Sequence, residues 1–243
     1  MPAGSAIAII CKTPLPGRGK TRLQPLFGAD GTAVLSACFI RDIAAAIEAV
    51  PEAIGRHGYA IYAPVGSEEA LRPLLPPGWG LLAWQDGTLG VVLHGAIAAF
   101  LARGHDCAVV VNADSPTLPP LLIAAAVAAL RAPGERAVFG PACDGGYYLV
   151  GLKRPHPRLF EDIPWSTEAV LAATLARAAE IGLEVVLLPR WYDVDDAATV
   201  ALLEEELAGH ALPFAEPELI GGPARHTRAF LAGRRTSVAT AAD

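Results

Sequence analysis

Charge is scarce in this chain. Asp, Glu, Lys and Arg make up 18% of its 243 residues, against 53% apolar residues. That balance excludes a disordered chain, and the length allows one large domain, or one domain with an appendage. Cysteine is scarce too. Cys11, Cys38, Cys107 and Cys143 show no C-x-x-C spacing, so they read as reduced thiols of a cytoplasmic protein rather than a disulfide frame or a zinc site. No uninterrupted apolar run reaches the roughly 18 residues that would span a bilayer. The opening MPAGSAIAIICK has too short an apolar run, and no basic flank, to be a signal peptide; it reads as a buried strand. The six histidines form no H-x-x-x-H pair, and no Ser–His–Asp or Cys–His set is legible. The formal net charge of -6 argues against nucleic acid as a partner, so any anion site must be local.

Such a site is suggested by Cys11–Leu23, CKTPLPGRGKTRL. Lys12, Arg18, Lys20 and Arg22 fall within it, interleaved with Pro14, Pro16, Gly17 and Gly19. Loop glycines beside Lys and Arg suit phosphate. The stretch Gly19–Lys20–Thr21 resembles the end of a nucleotide-hydrolase phosphate loop. However, Pro14 stands where that loop needs its first glycine, and Pro25 is expected to interrupt the helix that should follow. The competing reading is a solvated basic turn, which such clustering in an acidic chain disfavours.

Short apolar runs alternate with Ala-rich helical stretches along the chain. Strands are expected at 5–11, 59–64, 79–84, 107–112, 136–141, 146–152 and 183–189. Helices are expected at 31–50, 67–75 (capped by Ser67), 89–104, 119–131, 166–182 (capped by Ser166) and 196–209. Apolar strands without alternation imply burial on both faces. The fold class is therefore α/β: a three-layer sandwich with a mostly parallel central sheet and some antiparallel pairing between 136–141 and 146–152. Beyond Pro213 the periodicity fades, so residues 1–212 read as the domain and 213–243 as a partly mobile C-terminal tail. No internal repeat is present.

In open α/β sheets, ligands bind beyond the carboxyl ends of the strands. The basic loop falls there, and so do three acidic stretches. In VVVNADSPTLP, Asp114 ends a strand and lies five residues before Pro119, too early for a simple helix cap, which favours a Mg²⁺ or Mn²⁺ ligand. In WYDVDD, Asp193 and Asp195 point the same way if the segment is extended, so the pair could complete a metal site with Asp114, leaving Asp196 to cap the last helix. Three solvated turn acids are an equally plain reading. In CDGGYYLVGL, Gly145 and Gly146 allow close backbone approach to a ligand, Asp144 is a candidate base or hydroxyl acceptor, and Tyr147 a candidate ligand contact; a tight hairpin explains the glycines as well. IPWSTEAV offers Trp165, Ser166 and Thr167 as a substrate wall, with a capped helix as the simpler account.

Taken in order, KTPLPGRGKTRL, the Q-x-G-x-L-G of Gln85–Gly90, NADSPTLP, CDGGYYLVGL, IPWSTEAV and YDVDD resemble the bacterial glycosyltransferase-like family related to 2-phospholactate guanylyltransferase and molybdenum-cofactor guanylyltransferase. The resemblance runs from about residue 5 to 208. It implies a nucleotide-diphospho-sugar transferase (GT-A, Rossmann-like) fold, a nucleotide or nucleotide-sugar ligand, a small-molecule acceptor and a divalent metal, Mg²⁺ or Mn²⁺. It makes Asp114, Asp193 and Asp195 the metal candidates. Lys12, Pro16, Gly17, Arg18, Gly19, Lys20, Thr21, Arg22, Gln85 and Gly87 become the phosphate or nucleotide contacts. Gly145, Gly146, Tyr147, Trp165, Ser166 and Thr167 become the substrate contacts, and Lys20, Asp114 and Asp144 the catalytic set. The chain departs from its relatives at Val91–Val92, where they carry Glu-Arg, at Asn112–Pro116 and at Asp195–Val200. Three functions are compatible with this reading: nucleotidyl transfer, glycosyl transfer (with Asp144 or Glu168 as base), and a non-catalytic nucleotide-binding domain.

Overall fold

The structure, a computed structural model, describes residues 4–84, 87–216 and 218–240; side chains are described as far as residue 234. A seven-stranded sheet forms the centre. Its strands are β1 (Ser5–Lys12), β2 (Arg56–Ala63), β3 (Gly80–Ala83), β4 (Cys107–Asn112), β5 (Arg136–Pro141), β6 (Tyr147–Leu152) and β7 (Glu184–Leu187), in the spatial order β3-β2-β1-β4-β6-β5-β7. All pairings are parallel except those of β6, which runs antiparallel to both β4 and β5. The expected α/β sandwich and its antiparallel exception are therefore both present.

The central strands are apolar on both faces because both faces are covered. Ile7, Ile9, Val109 and Val111 pack with Leu35, Phe39 and Ile43 of α1 (Gln24–Glu48) and Ile123 and Val127 of α4 (Pro120–Arg131). Ala6, Ala8, Ala108 and Val110 face the other way, toward Leu93, Ile97 and Phe100 of α3 (Leu89–Ala102) and Ala178 of α5 (Val170–Glu180). Alternation along a strand sends successive side chains to opposite layers. By length and composition the helical stretch Thr21–Glu48 is apolar enough to cross a membrane. Here its apolar stripe is spent on the sheet, with Phe39, Ile43 and Ile47 fully buried.

Several expectations need correction. Pro25 does not stop the segment after the basic loop. It sits in the first turn of α1, where its missing N–H costs nothing; a single 3-10 turn, Thr21–Leu23, joins loop to helix, and the interruption falls instead at Gly28 (φ 69°, ψ 173°), which kinks α1 after its first turn. Ser67 does not cap α2 (Glu68–Leu71); its hydroxyl donates to the Pro64 carbonyl at 2.6 Å. Ser166 does not cap α5, which begins at Val170; Ser166 holds a left-handed φ of 66° and is exposed. The tail contains a helix, α7 (Arg225–Thr240), packed against α1. Buried Asp42 on α1 accepts from the His226 and Thr227 amides at 3.0 and 2.8 Å, Phe230 meets Phe27 at 5.7 Å, and Arg234 lies over the Phe27 ring. Asp196 caps α6 (Ala197–Leu207) as expected, in a capping box with Thr199.

Candidate functional site

The carboxyl ends of β1 and β4 open into a cleft of about 330 Å³. It is lined by Lys12, Pro14, Arg18, Gly19 and Lys20 of the basic loop, by Asn112, Ala113 and Asp114 after β4, and by Asp195. Ser36 and Ile40 of α1, Trp84 after β3 and Leu89 at the start of α3 complete the wall.

The loop's shape follows from its sequence. The Arg18 amide donates to the Leu15 carbonyl at 3.0 Å across Pro16 and Gly17, and Gly17 has φ 74°. Pro at the second position and a left-handed Gly at the third is the arrangement of a type II turn. Gly19 (φ 83°) reverses the chain again. Lys20 follows in the left-handed region at φ 40°, a strained conformation for a residue with a Cβ. Its side chain accounts for that strain. The ammonium lies 2.7 Å from Asp114 Oδ1 and 3.1 Å from Asp195 Oδ1, and donates to the Val194 carbonyl at 2.8 Å. Burial alone would lower its pKa; the two carboxylates outweigh this and hold it above the ordinary lysine value. Lys12 and Arg18 are exposed and take part in none of the ion pairs among the described residues.

The three expected metal ligands come together but are not equivalent. Asp114 and Asp195 are 41% and 48% exposed and share one cation, the Lys20 ammonium. Asp193 is drawn inward. Its Oδ1 accepts from Asn112 Nδ2 at 2.6 Å and Ser115 Oγ at 2.7 Å, and its pKa is pushed up to about 7, by burial first and then, against the help of those donors, by the neighbouring Asp114 charge. With both donors on its Oδ1, the carboxyl supports the loop as well as facing the acidic group. The more exposed carboxylates that could hold Mg²⁺ or Mn²⁺ beside phosphate are Asp114 and Asp195. Among the described residues, no three His, Cys, Asp or Glu side chains converge as a metal cage. Asn112 and Ser115 carried no role in the sequence reading. The only signal for them is that two polar residues flank Asp114 at the end of an otherwise apolar strand.

The remaining candidates lie outside the cleft lining. Pro16, Gly17, Thr21 and Arg22 shape or follow the loop. Gly87 (φ 141°) precedes α3; Gln85 lies outside the described residues. Asp144 closes the β5–β6 turn by accepting from the Gly146 amide at 2.9 Å. The close approach that Gly145 permits is to protein: at φ 90°, an added Cβ would stand 2.1 Å from the Glu168 carbonyl oxygen. Tyr147 packs on Phe139 at 5.1 Å and edge-on to Trp165, and Trp165 lies against Gly90 of α3. Thr167 Oγ1 donates to the Pro164 carbonyl at 2.8 Å. Cys11, inside the cleft, is no nucleophile, since burial and then Asp114 push its thiol up to about 12.

Fold and cleft together define a protein of the nucleotide-diphospho-sugar transferase (GT-A) fold. A crystal structure from Desulfovibrio desulfuricans G20, described as a candidate nucleotide-diphospho-sugar transferase, superposes with a TM-score of 0.81 at 27% identity, covering 96% of each chain. CMP:2-keto-3-deoxy-manno-octonic acid synthetase complexed with CTP matches at a TM-score of 0.56 and 11% identity, over 85% of this chain and 99% of that one. Glucosyl-3-phosphoglycerate synthase from Mycobacterium tuberculosis, in complex with Mn²⁺ and UDP, matches at 0.50 and 9%, over 85% and 77%. The last two likenesses speak to the fold alone. Residues 46–167 match the family described as "Uncharacterized protein conserved in bacteria (DUF2064)", and the chain belongs to that family. No protein of curated function matches it.

Proposed function

We propose that this protein is a metal-dependent nucleotidyltransferase, acting on a nucleoside triphosphate and a small phosphorylated or hydroxylated acceptor. The observation that carries the reading is the pairing within one cleft of two cations without ion-pair partners, Lys12 and Arg18, with two half-exposed carboxylates, Asp114 and Asp195. Free cations in an acidic chain attract a polyanion, and the carboxylate pair makes room for the divalent ion that polyphosphate brings. When bound, that ion would supply charge neutralisation at the phosphates.

Phosphoryl-transfer chemistry is mostly positioning and electrostatics. The acceptor oxygen forms a bond to the α-phosphorus. The bond from that phosphorus to the α–β bridging oxygen breaks, and pyrophosphate leaves with the electron pair. A hydroxyl acceptor gives its proton to solvent, and a phosphate acceptor has none to lose. Lys12 and Arg18 hold the β- and γ-phosphates, and Lys20 positions Asp114 and Asp195. No protein nucleophile is required, in keeping with the neutral Cys11 thiol.

A second reading, glycosyl transfer from a nucleotide sugar, is favoured by the likeness to the Desulfovibrio protein. One experiment separates the two. The protein is incubated with each nucleoside triphosphate or nucleotide sugar, with Mg²⁺, Mn²⁺ or chelator, and thermal stability is recorded, since a ligand of the folded state raises the melting temperature. Nucleotidyl transfer predicts a metal-dependent shift with a triphosphate that is lost in Asp114→Ala. A shift with nucleotide sugars alone would replace this reading by glycosyl transfer, and no shift with any nucleotide would refute both.

A further inference from the structure

The register of the sheet places three chemically different side chains along one edge. Lys12 pairs with Ala63, and Cys11, Tyr62 and Ala83 form the level before them. Trp84 is one residue beyond Ala83, and its amide donates to the Tyr62 carbonyl at 2.6 Å. Ile10 is level with Asn112, and Asp114 follows two residues past the end of β4, lining the same cleft as Lys12. Cys11, Tyr62 and Ala83 belong to the cluster on the α1–α4 side, and by alternation Trp84 and Lys12 point to the other face. Read across the strands β3, β2, β1 and β4, the edge presents an aromatic ring, the small Ala63, a cation and a carboxylate. Three strand spacings separate the ends, about 14 Å, a span comparable to an extended nucleotide.

Trp84 is partly buried against the α3-side cluster yet lines the cleft. It stacks on no other ring among the described residues. The other tryptophans are committed elsewhere: Trp79 and Trp191 are buried, and Trp165 packs against Gly90 and Tyr147. Beyond Trp84 the surface continues as a shallow groove whose lining among the described residues, including Leu82, Val91 and Gly95, is apolar.

We infer that Trp84 is the base-stacking platform of the nucleotide site: the aromatic base lies on its indole, the ribose spans Ala63, and the phosphates run over Lys12 toward Asp114 and Asp195. This rests on the nucleotide reading above and assigns its far end. Base–aromatic stacking tolerates any base because every base has a π-face, so Trp84 contributes affinity for nucleosides over bare polyphosphate.

The test compares wild type, Trp84→Leu and Trp84→Phe by calorimetric titration with ATP, GTP, CTP and UTP, and with inorganic tripolyphosphate, all with Mg²⁺. Melting curves without ligand check the fold of each variant. The expected result is a roughly 5- to 150-fold loss of nucleotide affinity in Trp84→Leu, substantial recovery in Trp84→Phe, and unchanged tripolyphosphate binding in all three. Nucleotide binding equal to wild type in Trp84→Leu, or an equal loss of tripolyphosphate affinity, overturns the assignment while the nucleotide reading stands. A wild type that binds tripolyphosphate but no nucleotide overturns both.

Discussion

Lys20 and Asp114 form an ion pair of 2.7 Å at the mouth of β4, and the same ammonium reaches Asp195 at 3.1 Å. The lysine thus stands between the two carboxylates that a divalent ion would use. A cation in that position competes with any other. At an effective dielectric of about 20, one unit charge about 4 Å from another is worth about 4 kcal/mol. Lys20→Met should therefore bind Mn²⁺ in the absence of nucleotide at least about tenfold more tightly than wild type. Free Mn²⁺ measured by electron paramagnetic resonance gives the comparison; unchanged or weaker binding would show that the carboxylates do not form the metal pair.

The Asp193 carboxyl is held by Asn112 and Ser115. Asp193→Ala leaves two inward-facing donors without their acceptor, which should cost about 1–3 kcal/mol in urea unfolding. Asp193→Asn keeps an acceptor oxygen and should cost less near neutral pH, where the native carboxyl is already half protonated. Equal losses in both variants would contradict a hydrogen-bonding role.

Gly145 and Gly17 both have positive φ, but only Gly145 meets a backbone. Its Cβ would lie 2.1 Å from the Glu168 oxygen, whereas that of Gly17 would meet nothing within 4 Å. Gly17→Ala should lose about 1 kcal/mol from conformational strain. Gly145→Ala should lose clearly more, because the 166–170 segment must move. Chemical denaturation of the two variants side by side measures the difference.

His105 has its pKa lowered, by partial burial and then by the neighbouring His57. A depressed histidine pKa means that below pH 6.5 the unfolded chain binds the proton more readily than the folded one. Its contribution is fully present above that pH and is lost as pH falls toward the folded value. Between about pH 7.5 and 5.5 the melting temperature of the wild type should fall relative to that of His105→Gln, whatever the other titrating groups contribute to both. An identical slope in that variant would remove His105 as the cause.

Asp42 caps α7 through the His226 and Thr227 amides. Asp42→Ala should cost about 1–2 kcal/mol, as for other lost caps, and amide hydrogens in 226–231 should exchange faster than those of α1. Unchanged exchange there would place the anchor of α7 in Phe230 and Arg234 instead.

The sheet was readable because its strands carry their signal locally. Cys107–Asn112 and Ser5–Lys12 are apolar between their polar end residues, as doubly covered strands must be, and both stand within a residue of expectation. The short β5–β6 connection announced the antiparallel pair in the same way. Helix α7 was not readable, because what fixes it is distant: a buried aspartate some 184 residues earlier and one aromatic contact. Pro25 misled because its effect depends on position. In a helix interior it breaks the ladder, and in the first turn it does not. Within the site, Asp114 and the basic loop stood out by residue type, whereas the difference between Asp193 and Asp195 is a matter of burial, set by Asn112 and Ser115 across the sheet edge. Trp84 carried no motif, and only strand register puts it level with Lys12.

The bond from Lys20 to Asp195 joins residues 175 apart, and β1 enters the sheet between β2 and β4, the second of which begins only at Cys107. During synthesis, the basic loop would leave the ribosome long before the segment that ties down its lysine. A growing chain would therefore carry an untethered cationic loop and no assembled cleft. Closure of this long-range contact, a slow class of event because loop entropy is lost before contacts compensate it, would turn an indiscriminate anion attractor into a shaped site. Nucleotide should accordingly recognise the finished molecule and ignore its folding intermediates.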